Sequence, residues 1–180
     1  MAGVSLILPF LPLLPKQILL TNLMTDFPEM TIATDNVDSE MVNSPKRWDL
    51  KAIRKFMITF GLISSIFDYL TFGLLLLILH ASESQFRTGW FIESVVSASL
   101  IVLVIRSRKS FYKSKPGKYL LIATLSIVAI ILILPITPIG KIFDFIVLPV
   151  KTYIFLLLIV ALYILTAKIT KKIFYKRVKI

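Results

Sequence analysis

Residues 56–79 read FMITFGLISSIFDYLTFGLLLLIL, an almost unbroken apolar run of 24 residues. At 1.5 Å per residue, a helix of this length extends for about 36 Å, which exceeds the hydrocarbon thickness of a bilayer, about 30 Å. A chain surrounded by lipid must satisfy its backbone polar groups internally, so the run predicts a membrane-spanning helix. A single carboxylate, Asp68, interrupts it near its centre.

Similar apolar runs recur along the chain, and 57% of its 180 residues are hydrophobic. A soluble domain would need a far more polar surface. The sequence therefore predicts an all-α fold, a polytopic helical membrane bundle of five full transmembrane helices and one partial N-terminal helix, in a single domain over residues 1–180. The predicted segments are 2–14, 17–32, 56–79, 89–105, 119–134 and 148–167.

The basic residues alternate between the two sides of these segments. Seventeen of the 21 Lys and Arg residues fall in the loops 33–55 and 106–118 and in the tail 168–180. By the positive-inside rule, these parts and the C-terminus are predicted to be cytoplasmic, in a multi-pass protein of the cell membrane. The basic charge is expected to contact anionic membrane lipid, and this distribution argues against a nucleic-acid partner.

The first segment, residues 2–14, reads AGVSLILPFLPLL and is too short to span a bilayer. Its length corresponds to about 20 Å of helix, and Pro9 and Pro12 shorten the usable helix further. A secretory signal peptide is not favoured, because no basic region precedes the segment and no small-residue cleavage site follows it. We interpret the segment as the outer half of a spanning helix, so the chain is expected to begin in mid-structure.

The second segment carries oxygen-bearing side chains at helical spacing. Asn22, Asp26 and Glu29 are spaced i, i+4 and i+7, so they lie along one helix face, and Thr25 is adjacent to Asp26. Carboxylate and amide oxygens are the ligands of a hard cation such as Mg²⁺ or Ca²⁺. The spacing predicts a cation site that includes Asn22 and Asp26. The alternative is that Asp26 and Glu29 extend to the inner membrane interface.

Pro28 adds a further oxygen to this segment. Proline cannot donate to the carbonyl of the residue four positions earlier, so the carbonyl oxygen of Met24 is freed. Helices interrupted in this way expose backbone carbonyls at the ion sites of membrane transporters.

Two more carboxylates fall inside predicted membrane segments, where an ionisable residue costs about 2.5 to 3.5 kcal/mol and is therefore a functional candidate. Asp68 shares a face with Gly61 and Ser65, and it is expected either to support the cation pathway or to form an interhelical hydrogen bond. Glu93 lies about one turn inside the outer interface that Trp90 marks, and it either coordinates a cation or extends to that interface.

Several functions are excluded by what the 180 residues lack. The sequence has no cysteine, which excludes disulfides and cysteine catalysis, and its one histidine leaves no histidine-rich metal site. It contains neither a G-x-x-x-x-G-K-[ST] loop nor a G-x-G-x-x-G motif. The chain alone is therefore not expected to hydrolyse a nucleotide.

Four motifs resemble a known family: LTNLMTDFPEM (residues 20–30), RWD (47–49), SSIFD (64–68) and TGWFIES (88–94). Together with their surroundings they resemble the C-terminal membrane domain of P-type ATPases, specifically the magnesium-translocating class, over nearly the whole chain. In calcium and other cation pumps the N-x-x-T-D element binds the transported ion. The resemblance implies that Mg²⁺ is the transported ion. It also implies that Asn22 and Asp26 are ligands, with Thr25, Asp68 and Glu93 as supporting groups.

The 180 residues depart from that family in one respect, because they contain no D-K-T-G-T motif. The resemblance implies that ATP is used only by domains outside these residues. The chain is then not an enzyme by itself, and its partner is the remaining part of a pump, supplied in trans. Three alternatives stay open: a truncated remnant, a small regulatory or structural membrane protein, and a passive cation pathway.

Overall fold

The structure, a computed structural model, describes residues 8–36, 49–107 and 114–177, and these ranges form helices and no strands. The all-α prediction is therefore confirmed. The helices are α1 (Pro15–Thr31), α2 (Leu50–Gly73), α3 (Glu83–Ile105), α4 (Lys118–Ile133), α5 (Pro138–Ile142) and α6 (Val150–Arg177). A π-helical turn, Leu74–Ile78, extends α2, and 3₁₀ turns at Ile32–Thr34 and Leu134–Ile136 extend α1 and α4.

Four helices in the described ranges are long and apolar enough to cross a membrane: Leu50–Ile78, Glu83–Ile105, Lys118–Ile136 and Val150–Lys176. The predicted helical membrane bundle is confirmed, although five full spans were expected. The difference lies in α1, which has only 17 residues. Its rise is about 26 Å, a little less than the hydrocarbon thickness.

The expected partial helix at residues 2–14 is not helical in its described part, residues 8–14. Pro9 and Pro12 account for this, because a proline inside a helix removes a backbone donor and clashes with the preceding turn. The segment is nevertheless packed: the ring of Phe10 meets that of Phe86 edge-on at 5.4 Å, and Leu13 is buried. Residues 1–7 lie outside the described ranges.

Two helices begin before the apolar runs from which they were predicted, because polar side chains cap their N-termini. The carboxylate of Asp49 accepts from the backbone nitrogens of Lys51 and Ala52, so α2 begins at Leu50 rather than at residue 56. Ser82 and Gln85 form a capping box, so α3 begins at Glu83 rather than at residue 89. Residues 37–48, which precede α2, lie outside the described residues.

The core of the bundle lies around α3. In the apolar stretch of α3, 61% of the residues are buried, against 22% in α2. Helices α1, α2, α4 and α6 pack around it, and Phe86, Phe91 and Val95 of α3 are fully buried. The large apolar side chains exposed on α2, α4 and α6 suit a lipid surround. α6 continues to Arg177, so most of the predicted tail 168–180 is helical.

Candidate functional site

The oxygen-bearing face of α1 is turned away from the helical bundle. Asn22, Asp26 and Glu29 are all exposed, as the predicted common face requires. The opposite side of α1 packs inward, where Gln17 and Leu20 are buried. In these 180 residues, therefore, the predicted ligands Asn22 and Asp26 face outwards from the bundle core.

Thr25 is half-buried, and its hydroxyl bonds to its own helix. It donates to the carbonyl oxygens of Thr21 and Asn22, each at 3.1 Å. The hydroxyl oxygen keeps its lone pairs, so Thr25 is still able to offer an oxygen beside Asp26.

Pro28 is buried inside α1 and carries no backbone donor, so it forms no helical hydrogen bond with the Met24 carbonyl. At 3.6 residues per turn, Met24 and Asp26 point to roughly opposite sides of α1, so the freed oxygen lies on the side where Pro28 is buried rather than beside the exposed carboxylate of Asp26. The local chemistry is an amide, a carboxylate and a carbonyl on one short helix.

The other two candidates, Asp68 and Glu93, lie inside the bundle near each other. The indole Nε1 of Trp90 donates to Oδ1 of Asp68 at 3.4 Å, which joins α3 to α2. Glu93 is 2% exposed, and Ser97 lies close enough to influence its carboxylate. Its Oε2 atom has no partner among the described residues.

Two tyrosines of α6 complete the surroundings of these carboxylates. Tyr163 is buried and lies close to Ser64 of α2, and it is near enough to interact electrostatically with both Asp68 and Glu93. Tyr153 and Glu93 line one crevice between α3, α4 and α6, which is too narrow to admit a water molecule. The Tyr153 hydroxyl also has no partner in the described part of the chain.

The five predicted site residues therefore form two separate sets, one on α1 and one inside the bundle. The described residues contain no group of three or more His, Asp or Glu side chains that could hold a metal ion. Asn22, Thr25 and Asp26 are brought together by their spacing on one helix. Asp68 and Glu93 are brought together by the packing of α2 against α3.

Asp35 lies in the loop 33–55 that the sequence predicts on the cytoplasmic side, but its side chain is not exposed to solvent. Its carboxylate is buried in an ion pair with Arg106 at 2.5 Å, and the two side chains are 10% and 2% exposed. Lys171, taken as part of a basic tail, is also buried and bonds to the inner end of α3. No spacing in the sequence signals these contacts, because their partners are distant along the chain.

Comparisons with known proteins show where such a bundle occurs. The family described as "Cation transporting ATPase, C-terminus" matches residues 10–173. A protein of Escherichia coli K12 named "Magnesium-transporting ATPase, P-type 1" is 36% identical over 178 residues, covering 96% of this chain and 20% of that protein. Two proteins of Salmonella typhimurium LT2 with the same name are 35% and 34% identical with the same coverage. The chain thus spans about one fifth of the length of these relatives.

Proposed function

The chain belongs to the cation-transporting ATPase C-terminus family, and on that premise we propose that it is the cation-binding C-terminal membrane region of a magnesium-transporting P-type ATPase. Asn22 and Asp26 bind the transported Mg²⁺, directly or through its water. Thr25, Asp68 and Glu93 are the supporting polar groups. Mg²⁺ is the substrate in this proposal, and ATP is used by parts of the pump outside these 180 residues.

The outward-facing polar side of α1 carries this proposal. Asn22 and Asp26 are exposed although α1 belongs to a membrane bundle. A carboxylate facing lipid would cost several kcal/mol at the centre of a bilayer, so further polypeptide is needed to cover this face. The remaining membrane helices of the pump are the fitting partner, because they would complete the cation site from the other side.

The small number of ligands on α1 agrees with Mg²⁺ as the cation. Mg²⁺ gives up its waters reluctantly and is usually bound by one or two carboxylates together with retained water. Asp26 supplies one carboxylate and Asn22 one amide oxygen, so most of the coordination sphere is left to water and to the partner helices. A dense cluster of acidic side chains is not required.

The positions of the basic residues support one orientation of the chain in the membrane. Lys51, Arg54 and Lys55 lie in the first turns of α2, Arg106 ends α3, and Lys118 begins α4. These basic positions lie on the cytoplasmic side of the plasma membrane, as does the C-terminus after α6. The inner end of α1 then faces the cytoplasmic domains of the pump.

A second candidate is a small regulatory or structural membrane protein without transport activity. The observation that favours it is the shared core around α3, including Phe86, Phe91 and Val95, which the described helices bury without further chain. A bundle with such a core can pack as a unit beside another membrane protein.

Complementation separates the two candidates. The chain is co-produced with the N-terminal four fifths of a magnesium-transporting relative in cells that lack Mg²⁺ uptake, and growth and Mg²⁺ uptake are measured at low Mg²⁺. We expect growth with the unaltered chain and none with Asp26→Asn. Glu83→Gln, which alters an exposed carboxylate at the outer end of α3, is the matched control and should support growth.

Two outcomes count against the proposal. If Asp26→Asn supports growth as well as the unaltered chain, Asp26 is not a ligand. If the unaltered chain is inserted in the membrane beside the N-terminal part and growth still fails, the regulatory or structural role is favoured.

A further inference from the structure

The inner end of α1 is held by a buried cluster that we call the inner clamp: Asp35, Arg106, Ser114 and Gly117. One oxygen of Asp35, Oδ2, accepts from Arg106 at 2.5 Å, and the other, Oδ1, accepts from the backbone nitrogen of Gly117 at 2.6 Å. Arg106 also donates to the backbone oxygen of Ser114 at 2.5 Å and to its hydroxyl at 3.1 Å. The clamp joins the end of α1 to the end of α3 and the start of α4.

The clamp is tight enough to depend on a glycine. A Cβ atom at Gly117 would lie 3.1 Å from both the Cα of Asp35 and the backbone oxygen of Thr34. These are backbone atoms, which cannot rotate away as a flexible side chain can. Asp35 therefore sits at a fixed position against the start of α4.

The outer end of α1 is also fastened. Gln17 is fully buried and donates from Nε2 to the backbone oxygen of Phe143 at 2.8 Å. Lys16 pairs with Asp144 at 2.7 Å and donates to the carbonyl of Ile142. α1 is thus attached to the loop after α5 at one end and to the α3–α4 connection at the other.

Between the two attachments, Pro28 weakens the helix. It removes one backbone hydrogen bond and introduces a clash with the preceding turn, which is the usual cause of a sharp bend. The backbone of α1 alone therefore does not determine the direction of its inner part. The attachment at Asp35, seven residues after Pro28 and continuous with it through the 3₁₀ turn, supplies the missing constraint.

We propose that the inner clamp is a positioning device for the cation site: Asp35 and Arg106 fix the direction that α1 takes after Pro28, relative to the part of the helix that carries Asn22 and Asp26. The consequence for the cation rests on the proposed function, whereas the direction of α1 after Pro28 can be measured without any cation. Asp35 and Arg106 are positioning residues that never touch the ion.

A distance measurement across Pro28 tests the clamp directly. The sequence contains no cysteine, so Leu19→Cys and Ala33→Cys introduce two unique labelling sites, both exposed, on either side of Pro28. At 1.5 Å per residue the two backbone positions are about 21 Å apart, which suits double electron–electron resonance between spin labels. The full chain is reconstituted in lipid nanodiscs for this measurement.

We expect a narrow distance distribution for the labelled chain, and a broad or shifted one for Asp35→Asn and for Arg106→Gln. The double variant Asp35→Asn/Arg106→Gln leaves no buried unpaired charge, so it covers the case in which a single variant fails to fold. Glu83→Gln breaks only an exposed pair with Arg87 and should leave the distribution unchanged. If the double variant folds, has a lower unfolding temperature and keeps the narrow distribution, the clamp is only a stabilising contact and the proposal is overturned.

Pro28→Ala gives a second, independent readout. Alanine restores the backbone donor to the Met24 carbonyl. The hydrogen bonds of α1 then keep the helix continuous across residue 28, and the clamp is no longer needed. In the Asp35→Asn background, Pro28→Ala should narrow the distance distribution between the two spin labels again. A distribution that stays broad there would show that the motion does not arise at Pro28, against the proposal.

In the co-produced pump, the same variants test the effect on the cation. If the binding-competent arrangement of α1 falls to about one third of the population, the apparent Mg²⁺ affinity falls about threefold. A distance distribution that responds to the clamp with an unchanged Mg²⁺ affinity would refute the positioning role. Failure of the unaltered chain to support Mg²⁺ uptake would refute the proposed function instead, and leave the distance measurement across Pro28 intact.

Discussion

The indole nitrogen of Trp90 donates a hydrogen bond of 3.4 Å to Oδ1 of Asp68, across the interface between α3 and α2. Asp68 is half-buried, and the Trp90 ring packs edge-on against Phe72 at 4.8 Å. The carboxylate in the middle of the longest apolar run is therefore directed towards the bundle rather than towards lipid. An interhelical hydrogen bond was one of the two roles expected for Asp68, and the structure contains it.

Removing this hydrogen bond should cost little stability. Trp90→Phe keeps most of the ring packing and removes the donor, so the free energy of unfolding should fall by roughly 0.6 to 1.7 kcal/mol. Asp68→Asn should cost less, because its amide oxygen still accepts from Trp90. Unfolding in a detergent titration, arranged as a double-mutant cycle of Trp90→Phe with Asp68→Leu, which removes the acceptor, measures the coupling. A coupling of zero would contradict a direct bond between the two side chains.

Glu93 should be dispensable for stability and needed for transport. Its Oε2 atom is buried without a partner among the described residues, so Glu93→Leu removes an unsatisfied polar atom and should leave the unfolding temperature unchanged or raised. Glu93→Ala leaves a cavity and should cost about 2 kcal/mol or more. Mg²⁺-dependent growth should fall in both. If Glu93→Leu unfolds easily and the pump still transports, Glu93 has a structural role alone.

Lys171 should stabilise the inner end of α3, whereas its neighbour Lys172 should not. The Lys171 ammonium is buried and donates to the carbonyl oxygens of Val104 at 2.7 Å and Ser107 at 2.9 Å. A cation at the C-terminus of a helix also interacts favourably with the helix dipole. Lys171→Met leaves these carbonyls unpaired and should cost about 1 to 3 kcal/mol.

The matched control is Lys172→Met, at an exposed position on the same helix turn. It removes the same charge and should change stability by less than about 0.5 kcal/mol. Thermal unfolding of both variants in the same lipid measures the loss of stability that each one causes. Equal losses for the two would show that net charge, rather than the buried contacts, is responsible.

Gly140 should tolerate no side chain. A Cβ atom there would overlap the backbone oxygen of Leu134 and lie 3.1 Å from the Cα of Pro135, so the turn between α4 and α5 would have to open. Gly140→Ala should cost about 3 kcal/mol or more. Gly61→Ala is the comparison, because nothing lies within 4 Å of a Cβ at that helical position. It should raise stability by about 0.5 to 1 kcal/mol. An unchanged unfolding temperature for Gly140→Ala would contradict the packing of this turn.

The fold class followed from the sequence because lipid leaves few choices. Apolar runs such as residues 56–79 become helices wherever backbone groups cannot bond to water, and the structure has a helix at each long run. The helix ends were harder to predict. Asp49 and Ser82 cap their helices outside the apolar runs by accepting hydrogen bonds from backbone nitrogens. The length of an apolar run gives no information about such caps.

The candidate site, like the helix ends, could be predicted from the sequence only in part. Helical spacing sufficed to put Asn22, Asp26 and Glu29 on one face of α1, because side chains i, i+4 and i+7 line up on any α-helix. Which way that face points depends on the packing of α1 against α3 and α4, since the buried side could have been either one.

The sequence by itself determined the helical membrane bundle, the row of oxygen-bearing side chains on α1 and the alternation of basic charge, since each depends on local periodicity and composition. Only the tertiary structure decided that Asp68 meets Trp90, that Glu93 is enclosed, and that Asp35 is buried against Arg106. The physical reason is distance along the chain. Asp35 and Arg106 are 71 residues apart, and only the packing of separate helices brings such partners together.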